Sequence, residues 1–435
     1  MKLPLPKAPI NRQINKKNVA QMNQKLNQLS AQFKAALAQG KYEDARQLVK
    51  QVLSLVPNHV IALMDLAFTE LKLERYEEAY QHYHQAIKMS QNSIDTNIYD
   101  GLAEVCHYLG KTEELKLYGA RALNTKKAEV ADRPILHIIE QAPPVFNPHN
   151  PQENIIAYSL FGNNPRYCET SVINVKLAKE IYPEWICRFY IDDSVPDFVV
   201  DRLSAQGAEV VYVSEEQRKI SGLFWRFFVL DDPKVKRFLI RDADSLVSYR
   251  EKAAVDAWLK SGKWFHTMRD YYSHTELILA GMWGGCTGAI RDLEQQIYQY
   301  LASGKYLTDR VADQHYLRRC IWPTIQQSVL LHDSQGFDEA AVDFPEYQDK
   351  MDYENFEKFH VGMNEGSSQV MIDVHIQDQA QVAWAIYDDS EHEICRYIVD
   401  VPKSLRVDLD LPRTYAEKLK TKEWKLLVHS LKNSD

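Results

Sequence analysis

The chain has 435 residues, more than one hydrophobic core usually organises, so two or three domains are expected. Apolar residues make up 45% and charged residues 26%, the proportions of an ordinary globular protein, and a net charge of -8 argues against a general nucleic-acid binder, which needs a basic face to neutralise phosphates. The opening MKLPLPKAPINRQINKK has no apolar core of a secretory leader, and the longest apolar runs, such as residues 277–283, are too short for a transmembrane segment. Six cysteines, at 106, 168, 187, 286, 320 and 395, form no CxxC pair and no zinc spacing, so reduced thiols and a cytoplasmic location are expected.

Residues 1–24 form an N-terminal extension, and an internal repeat follows. Gly40-Lys41-Tyr42-Glu43-Asp44-Ala45 recurs as Glu74-Arg75-Tyr76-Glu77-Glu78-Ala79, a step of 34 residues, and a weaker copy stands at Gly110-Lys111-Thr112-Glu113-Glu114-Leu115. Ala45, Ala67, Ala79, Ala86, Ala103 and Ala122 fall where paired helices approach closely. Period and small-residue pattern together resemble the tetratricopeptide family over about residues 25 to 125. The resemblance implies a helical hairpin stack over 25–141 whose groove docks a protein partner or an acceptor, or whose surface mediates dimerisation. Residues 142–153, APPVFNPHNPQE, are rich in proline and asparagine and read as a linker.

From residue 154 the pattern changes. Residues 154–160 are a short apolar run ending in Phe161-Gly162-Asn163-Asn164-Pro165, which predicts a buried strand and a turn. A helix over 170–181, a strand at 185–191, a helix at 197–206 and a strand at 209–213 follow. This alternation predicts a mostly parallel sheet with helices on both faces, and such sheets bind ligands beyond the carboxyl ends of their strands. The strand candidate 237–240 runs directly into Arg241-Asp242-Ala243-Asp244-Ser245, with a capping-box pattern behind it at Ser248-Tyr249-Arg250-Glu251. Gly281, Gly284, Gly285 and Gly288 lack the spacing of a dinucleotide fingerprint or a phosphate loop.

Two aspartates one residue apart, on a chain leaving a strand, both reach one hard cation and leave coordination positions for phosphates. A divalent ion held there neutralises a diphosphate leaving group. With Phe224-Trp225-Arg226-Phe227 ahead of it, this region resembles the DxD region of GT-A glycosyltransferases. The wider set, Ser159 to Asn164, Met268-Arg269-Asp270, Gly281-Met282-Trp283-Gly284 and Asp313-Gln314, is similar to a GT-A-like group with the motif order of the glycogenin-type retaining enzymes. The resemblance covers about residues 154 to 366. It implies an α + α/β fold: repeats, a Rossmann-like, mostly parallel GT-A domain over 154–369, and a small α+β subdomain over 370–435.

Carried over by position, the resemblance implies Mn2+ or Mg2+ on Asp242 and Asp244, completed by His332 or alternatively His360. Arg226 faces the nucleotide or the first aspartate, or else makes an interhelix ion pair. Asp313 and Gln314 lie near the transferred sugar, and Asp270 joins them as a catalytic candidate. Phe161, Gly162, Asn163, Arg269, His274 and Trp283 are candidates for the donor. For Arg269, Asp270 and His274 the competing reading is a partly buried ion-pair network, and for Trp283 a place in the core. The lysine that clamps the diphosphate in the glycogenin-type enzymes has no counterpart after His360. The function implied is sugar transfer from a nucleotide-diphosphate donor, with UDP-sugar as the default, to a glycan, lipid-linked saccharide or protein. The alternative is a repeat scaffold carrying a degenerate transferase domain.

Overall fold

The computed structural model describes residues 16–90, 94–304, 311–366, 368–374 and 380–431. It divides into two compact units, Met1–Ala122 and Leu123–Asp435. The boundary falls inside a helix.

The first unit is built from α1 (Lys16–Ala38), α2 (Tyr42–Leu55), α3 (Val60–Lys72), α4 (Tyr76–Met89), α5 (Thr96–Tyr108) and α6 (Thr112–Glu129), paired as successive hairpins. α1 starts within the stretch expected to be an extension, because nothing from Lys16 onward breaks a helix. Ala45, Ala67, Ala79, Ala86 and Ala103 are fully buried, as the close approach of paired helices requires. Gly101 takes this further: any Cβ there would collide with the Tyr83 ring. Each hairpin turns through one left-handed residue, Gly40 (φ 67°), Glu74 (φ 59°) and Gly110 (φ 68°). Only the middle copy puts a side chain in that conformation, which costs about 1–2 kcal/mol. Glu74→Gly should therefore stabilise this unit by up to about 1 kcal/mol once the unfolded-state entropy of glycine is counted, read as a higher urea midpoint at unchanged slope.

The second unit opens with β1 (Asn154–Leu160), α7 (Pro165–Ile181), β2 (Ile186–Ile191), α8 (Asp197–Ala205), β3 (Glu209–Tyr212), a 3-10 run Gly222–Asp231 and β4 (Arg237–Ile240). It continues through α9 (Tyr249–Lys260), β5 (Phe265–Arg269), β6 (Trp283–Cys286), α10 (Leu293–Ala302), α11 (Ala312–Tyr316), α12 (Trp322–Ile325) and β7 (Val329–Asp333). The sheet order is β3-β2-β1-β4-β6-β5-β7, parallel throughout except for β6, which runs against both neighbours. β1 and β4 are buried at every position, hence their continuous apolar reading.

β6 is a strand the sequence pattern missed. Its core, Gly284-Gly285, reads as a loop, yet a Cβ at Gly284 would stand 2.6 Å from both Leu239 and the Phe238 carbonyl, and one at Gly285 would strike the Phe265 ring. Glycine marks close approach of neighbouring backbone and side chains here, not a turn.

The tail adds β8 (Ser368–Asp373), β9 (Gln381–Tyr387), β10 (Glu393–Asp400), β11 (Arg406–Leu411), α13 (Arg413–Lys420) and β12 (Lys425–Ser430). These form two small antiparallel sheets, β10-β9-β12 and β11-β8. Trp384 and Tyr397 extend the core built on α7 and α8. The fixing point is Glu169 on α7, fully buried, which accepts from Arg202 on α8 at 2.8 and 2.9 Å, from Tyr397 at 2.7 Å and from Tyr415 at 3.0 Å. Glu169→Ala leaves that guanidinium and two buried hydroxyls without their acceptor. It should cost about 3 kcal/mol or more, and limited proteolysis should then cut the tail first.

Candidate active site

The site begins with what fixes the end of β4. Arg241 is buried and donates to Glu251 at 3.1 Å and to the Trp283 carbonyl at 3.2 Å, so the first residue beyond the strand is pinned inward. Ala243 is buried in the core cluster. The two aspartates on either side of it are thereby turned the other way, toward a cleft. The Asp242 side chain is 41% exposed and that of Asp244 16%. The capping box behind them is half made: Ser248 accepts from the Glu251 N–H at 3.2 Å, while the Glu251 carboxylate serves Arg241 and Tyr182 instead.

β1 and β4 are neighbours, and the chain order reverses between them, which is where open α/β sheets bind ligands. At this switch point lies a cavity of about 180 Å³ lined by Ser159, Phe161, Tyr167, Leu223, Arg226 and the Asp242 to Asp244 loop. A larger hollow of about 690 Å³, bordered by Asp231, Asp232, Thr287 and Arg291, lies where the chain enters β4. That is the opposite end of the strand, so the smaller cavity is the site candidate.

Arg226 organises the cleft. Its backbone N–H donates to Ser159 Oγ on β1 at 2.9 Å. One terminal nitrogen donates to the Arg241 carbonyl at 3.2 Å and to Asp242, and the other to Asp313 on α11 at 2.9 Å. Burial opposes its charge, but Asp242 and Asp313 outweigh burial and raise its pKa. Asp313 shows 5% side-chain exposure. Burial pushes its carboxyl up while Arg226 pulls it down, for a net rise. Asp244 accepts from Arg166 at 2.5 Å and is also raised, by burial first and then by Asp242. Gly281 completes the wall, since any Cβ there would collide with the Asp242 carboxylate.

Of the other sequence-predicted residues, Phe161 stands at the rim, 43% exposed, edge-on to Trp225 at 5.6 Å and lying over Gly222, where a Cβ would collide with its ring. Gly162 turns at φ 76° and donates to Ser194 Oγ at 2.6 Å; Asn163 is exposed. Gln314 is half-buried, and its N–H is held by Asp313 at 2.9 Å.

Several candidates are engaged elsewhere. Asp270 receives two bonds from Arg250, at 2.7 and 2.8 Å, and one from the Val361 N–H at 2.9 Å, so it braces a turn. Arg269 is buried and donates to the carbonyls of Glu276 and Leu277, both at 2.9 Å. His274 accepts from the Asp270 N–H at 2.9 Å and is held neutral by burial, its pKa pushed down to about 3. Of these three, Asp270 makes a close ion pair, Arg269 lies 3.9 Å from Asp338, and His274 meets a backbone N–H. Trp283 is fully buried, edge-on to Phe227 and Phe238, and offers no face to a sugar.

Neither histidine is brought to the aspartates as a third ligand. His332 lies on β7, three strands from β4 and roughly 14 Å away by strand spacing. Its ring is buried 3.0 Å from His266, and burial lowers its pKa to about 4. His360 stacks on Tyr271 at 3.7 Å and bonds the Lys358 carbonyl. The turn after it reaches the aspartate loop through the Gly362 carbonyl to Ser245 Oγ at 3.1 Å and the Glu365 N–H to the Asp244 carbonyl at 2.7 Å. Among the described residues no group of three or more His, Cys, Asp or Glu gathers as a metal cluster.

Sequence reasoning missed Arg166, Tyr167 and Ser159. For Arg166 a signal existed. Asn164 is a helix cap and Pro165 a first helical residue, so the arginine had to stand at a helix start beside the end of β1.

The fold and site define a class of protein: tetratricopeptide hairpins joined to a mixed, mostly parallel α/β domain with paired carboxylates at its topological switch point. The family model described as tetratricopeptide repeat matches residues 36–113. No curated protein matches the chain. Among solved structures, the first TPR of Spaghetti (RPAP3) bound to an HSP90 peptide is 23% identical over 23% of this chain and 79% of that one, with a TM-score of 0.22. The TPR2B domain of yeast Sti1 is 18% identical over 25% and 85%, with a TM-score of 0.23. A mutant O-GlcNAc transferase of Thermobaculum terrenum is 15% identical over 51% of this chain and 46% of its own, with a TM-score of 0.28, so the chain spans less than half of that enzyme.

Linkage gives the sign of one test. A carboxyl whose folded-state pKa is raised contributes stability below its unfolded value near 3.8 and loses it as pH rises through the folded value. Asp244→Asn should therefore gain on wild type as pH rises above 3.8, read as a difference in melting temperature that moves in the variant's favour in parallel thermal melts.

Proposed function

We propose that the α/β domain transfers a sugar from a nucleotide-diphosphate donor to a hydroxyl acceptor, with Asp242 and Asp244 holding Mn2+ or Mg2+. The observation that carries this reading is the pair of cleft-facing carboxylates at the β1–β4 switch point, tied through Arg226 to Asp313. The donor set fits a divalent cation of this kind. All its atoms are hard carboxylate oxygens, Asp242 opens to the cleft, and the lack of a side chain at Gly281 is what admits the Asp242 carboxylate. With only two protein ligands, the remaining positions fall to water and donor phosphate. When bound, the cation supplies charge neutralisation for the departing diphosphate.

The chain's own residues do the rest. Phe161 and Tyr167, both exposed and both lining the cavity, offer ring surface to base or sugar. Arg226 keeps Asp242 and Asp313 apart at fixed positions. Asp313, anchored by Arg226 and by its neighbour's N–H, orients sugar hydroxyls. The motif order favours retention of anomeric configuration. The transferase is placed in residues 154–369, with the following residues as an accessory subdomain. The repeats are the part proposed to meet a protein, whether a partner, the acceptor or a second copy. No helix among the described residues is long and apolar enough to cross a membrane.

Nucleotide diphosphates and their sugars, uridine diphosphate forms first, should raise the melting temperature of the full chain only with Mn2+ present. At a hundredfold excess over Kd the gain is about 2.7 kcal/mol, and Asp242→Ala or Asp244→Ala should abolish it together with donor hydrolysis. If the variants keep both the shift and the hydrolysis, the transferase reading fails and the repeat-scaffold reading replaces it.

A further inference from the structure

Arg166 stands in the first turn of α7, beside the loop that carries the aspartates. One terminal nitrogen donates to Asp244 Oδ2 at 2.5 Å. The other lies 3.8 Å from Asp410 Oδ2 on β11, beyond hydrogen-bond reach, and Nε is buried with no partner. Of its two carboxylates, then, one is hydrogen-bonded and the other is ion-paired only at longer range. The stem of Arg166 lies against Gly366, where any Cβ would collide with its Cγ, Cδ and Nε. Gly366 belongs to the segment whose Glu365 N–H donates to the Asp244 carbonyl at 2.7 Å. The arm thus runs beside the metal-site loop over a residue that leaves it room.

A divalent cation on Asp244 would stand beside the guanidinium held 2.5 Å from Oδ2, and the two like charges oppose each other at that separation. The displaced guanidinium is largely shielded, its side chain 18% exposed, and it sits at the positive end of a helix, so release without a new carboxylate is costly. Asp410, 33% exposed, is the carboxylate within reach of a small pivot.

We propose that Arg166 is handed from Asp244 to Asp410 when a divalent cation takes Asp244, an inference that rests on the cation reading above. Asp410, in the C-terminal subdomain, is then a positioning residue of the cation site: it touches neither cation nor donor, and acts by receiving the arm that otherwise blocks Asp244. Arg166 competes with the cation, and Asp410 weakens that competition.

The test is direct Mn2+ binding to the full chain, followed by the loss of the free-Mn2+ electron paramagnetic resonance signal. It compares wild type, Arg166→Met, Asp410→Asn and the double variant. Arg166→Met should tighten Mn2+ by about fivefold, the size of one partly shielded ion pair, and Asp410→Asn should weaken it by a similar factor. The double variant should match Arg166→Met alone, because without the arm Asp410 has nothing to receive. The proposal is overturned if Arg166→Met leaves Mn2+ affinity unchanged or lowers it, if Asp410→Asn has no effect, or if Asp410→Asn weakens binding equally without the arginine. In each of these cases wild-type binding leaves the transferase reading standing. Absence of Mn2+ binding in all four proteins overturns both.

Discussion

The α/β unit depends on one buried guanidinium. Arg226, 4% exposed, is shared by the backbone end of β4, Asp242, Asp313 and, through its own N–H, Ser159 on β1. A charge so enclosed is stable only while its carboxylates remain, and removing one partner of such a pair typically costs about 3–5 kcal/mol. The same bonds that hold Arg226 fix the relative positions of the 3-10 run, the exit of β4 and α11. Fold and site are therefore not separable here. Asp242 and Asp313 are held at defined positions by protein alone, before any ligand arrives.

Sheet topology supplies the second constraint. β1 and β4 leave the sheet in the same direction, and the reversed β6 brings its approach segment, with Gly281, back across the end of β4. Glycine at 281, 284 and 285 permits this, since a Cβ at each would meet Asp242, Leu239 or Phe265. A run that carries no ligand fingerprint is required by packing, and its last consequence is the wall beside the Asp242 carboxylate.

Local patterns were legible in the sequence and tertiary pairings were not. The strands 154–160 and 237–240 appear at those residues because their burial is continuous. The 34-residue step located the hairpins through close-packed alanines. The Arg226–Asp242 contact was one of the alternatives read at sequence level. What escaped was set by neighbours far along the chain. β6 is a strand because of what lies on both sides of it. Arg166 meets Asp244 across 78 residues. Asp270 and Arg269 look like ligand groups in sequence, yet Arg250 and the Glu276 and Leu277 carbonyls occupy them. A polar cluster after a strand gives no sign of whether its partners are protein or ligand.

Charge accounting at the cleft links these features on the proposed reading. Asp242, Asp244 and Asp313 face Arg226 and Arg166, a formal balance near minus one, so these five side chains together carry little net charge. A divalent cation alone would turn that balance positive beside two guanidiniums, one of which it must first displace. A nucleotide diphosphate alone would meet three carboxylates. Bound together, each removes the other's penalty: the cation screens the aspartates from the phosphates, and the phosphates screen the cation from the arginines. The electrostatics thus favour arrival of cation and donor as a pair, and binding energy is spent where charge develops on the departing diphosphate instead of on holding either component by itself.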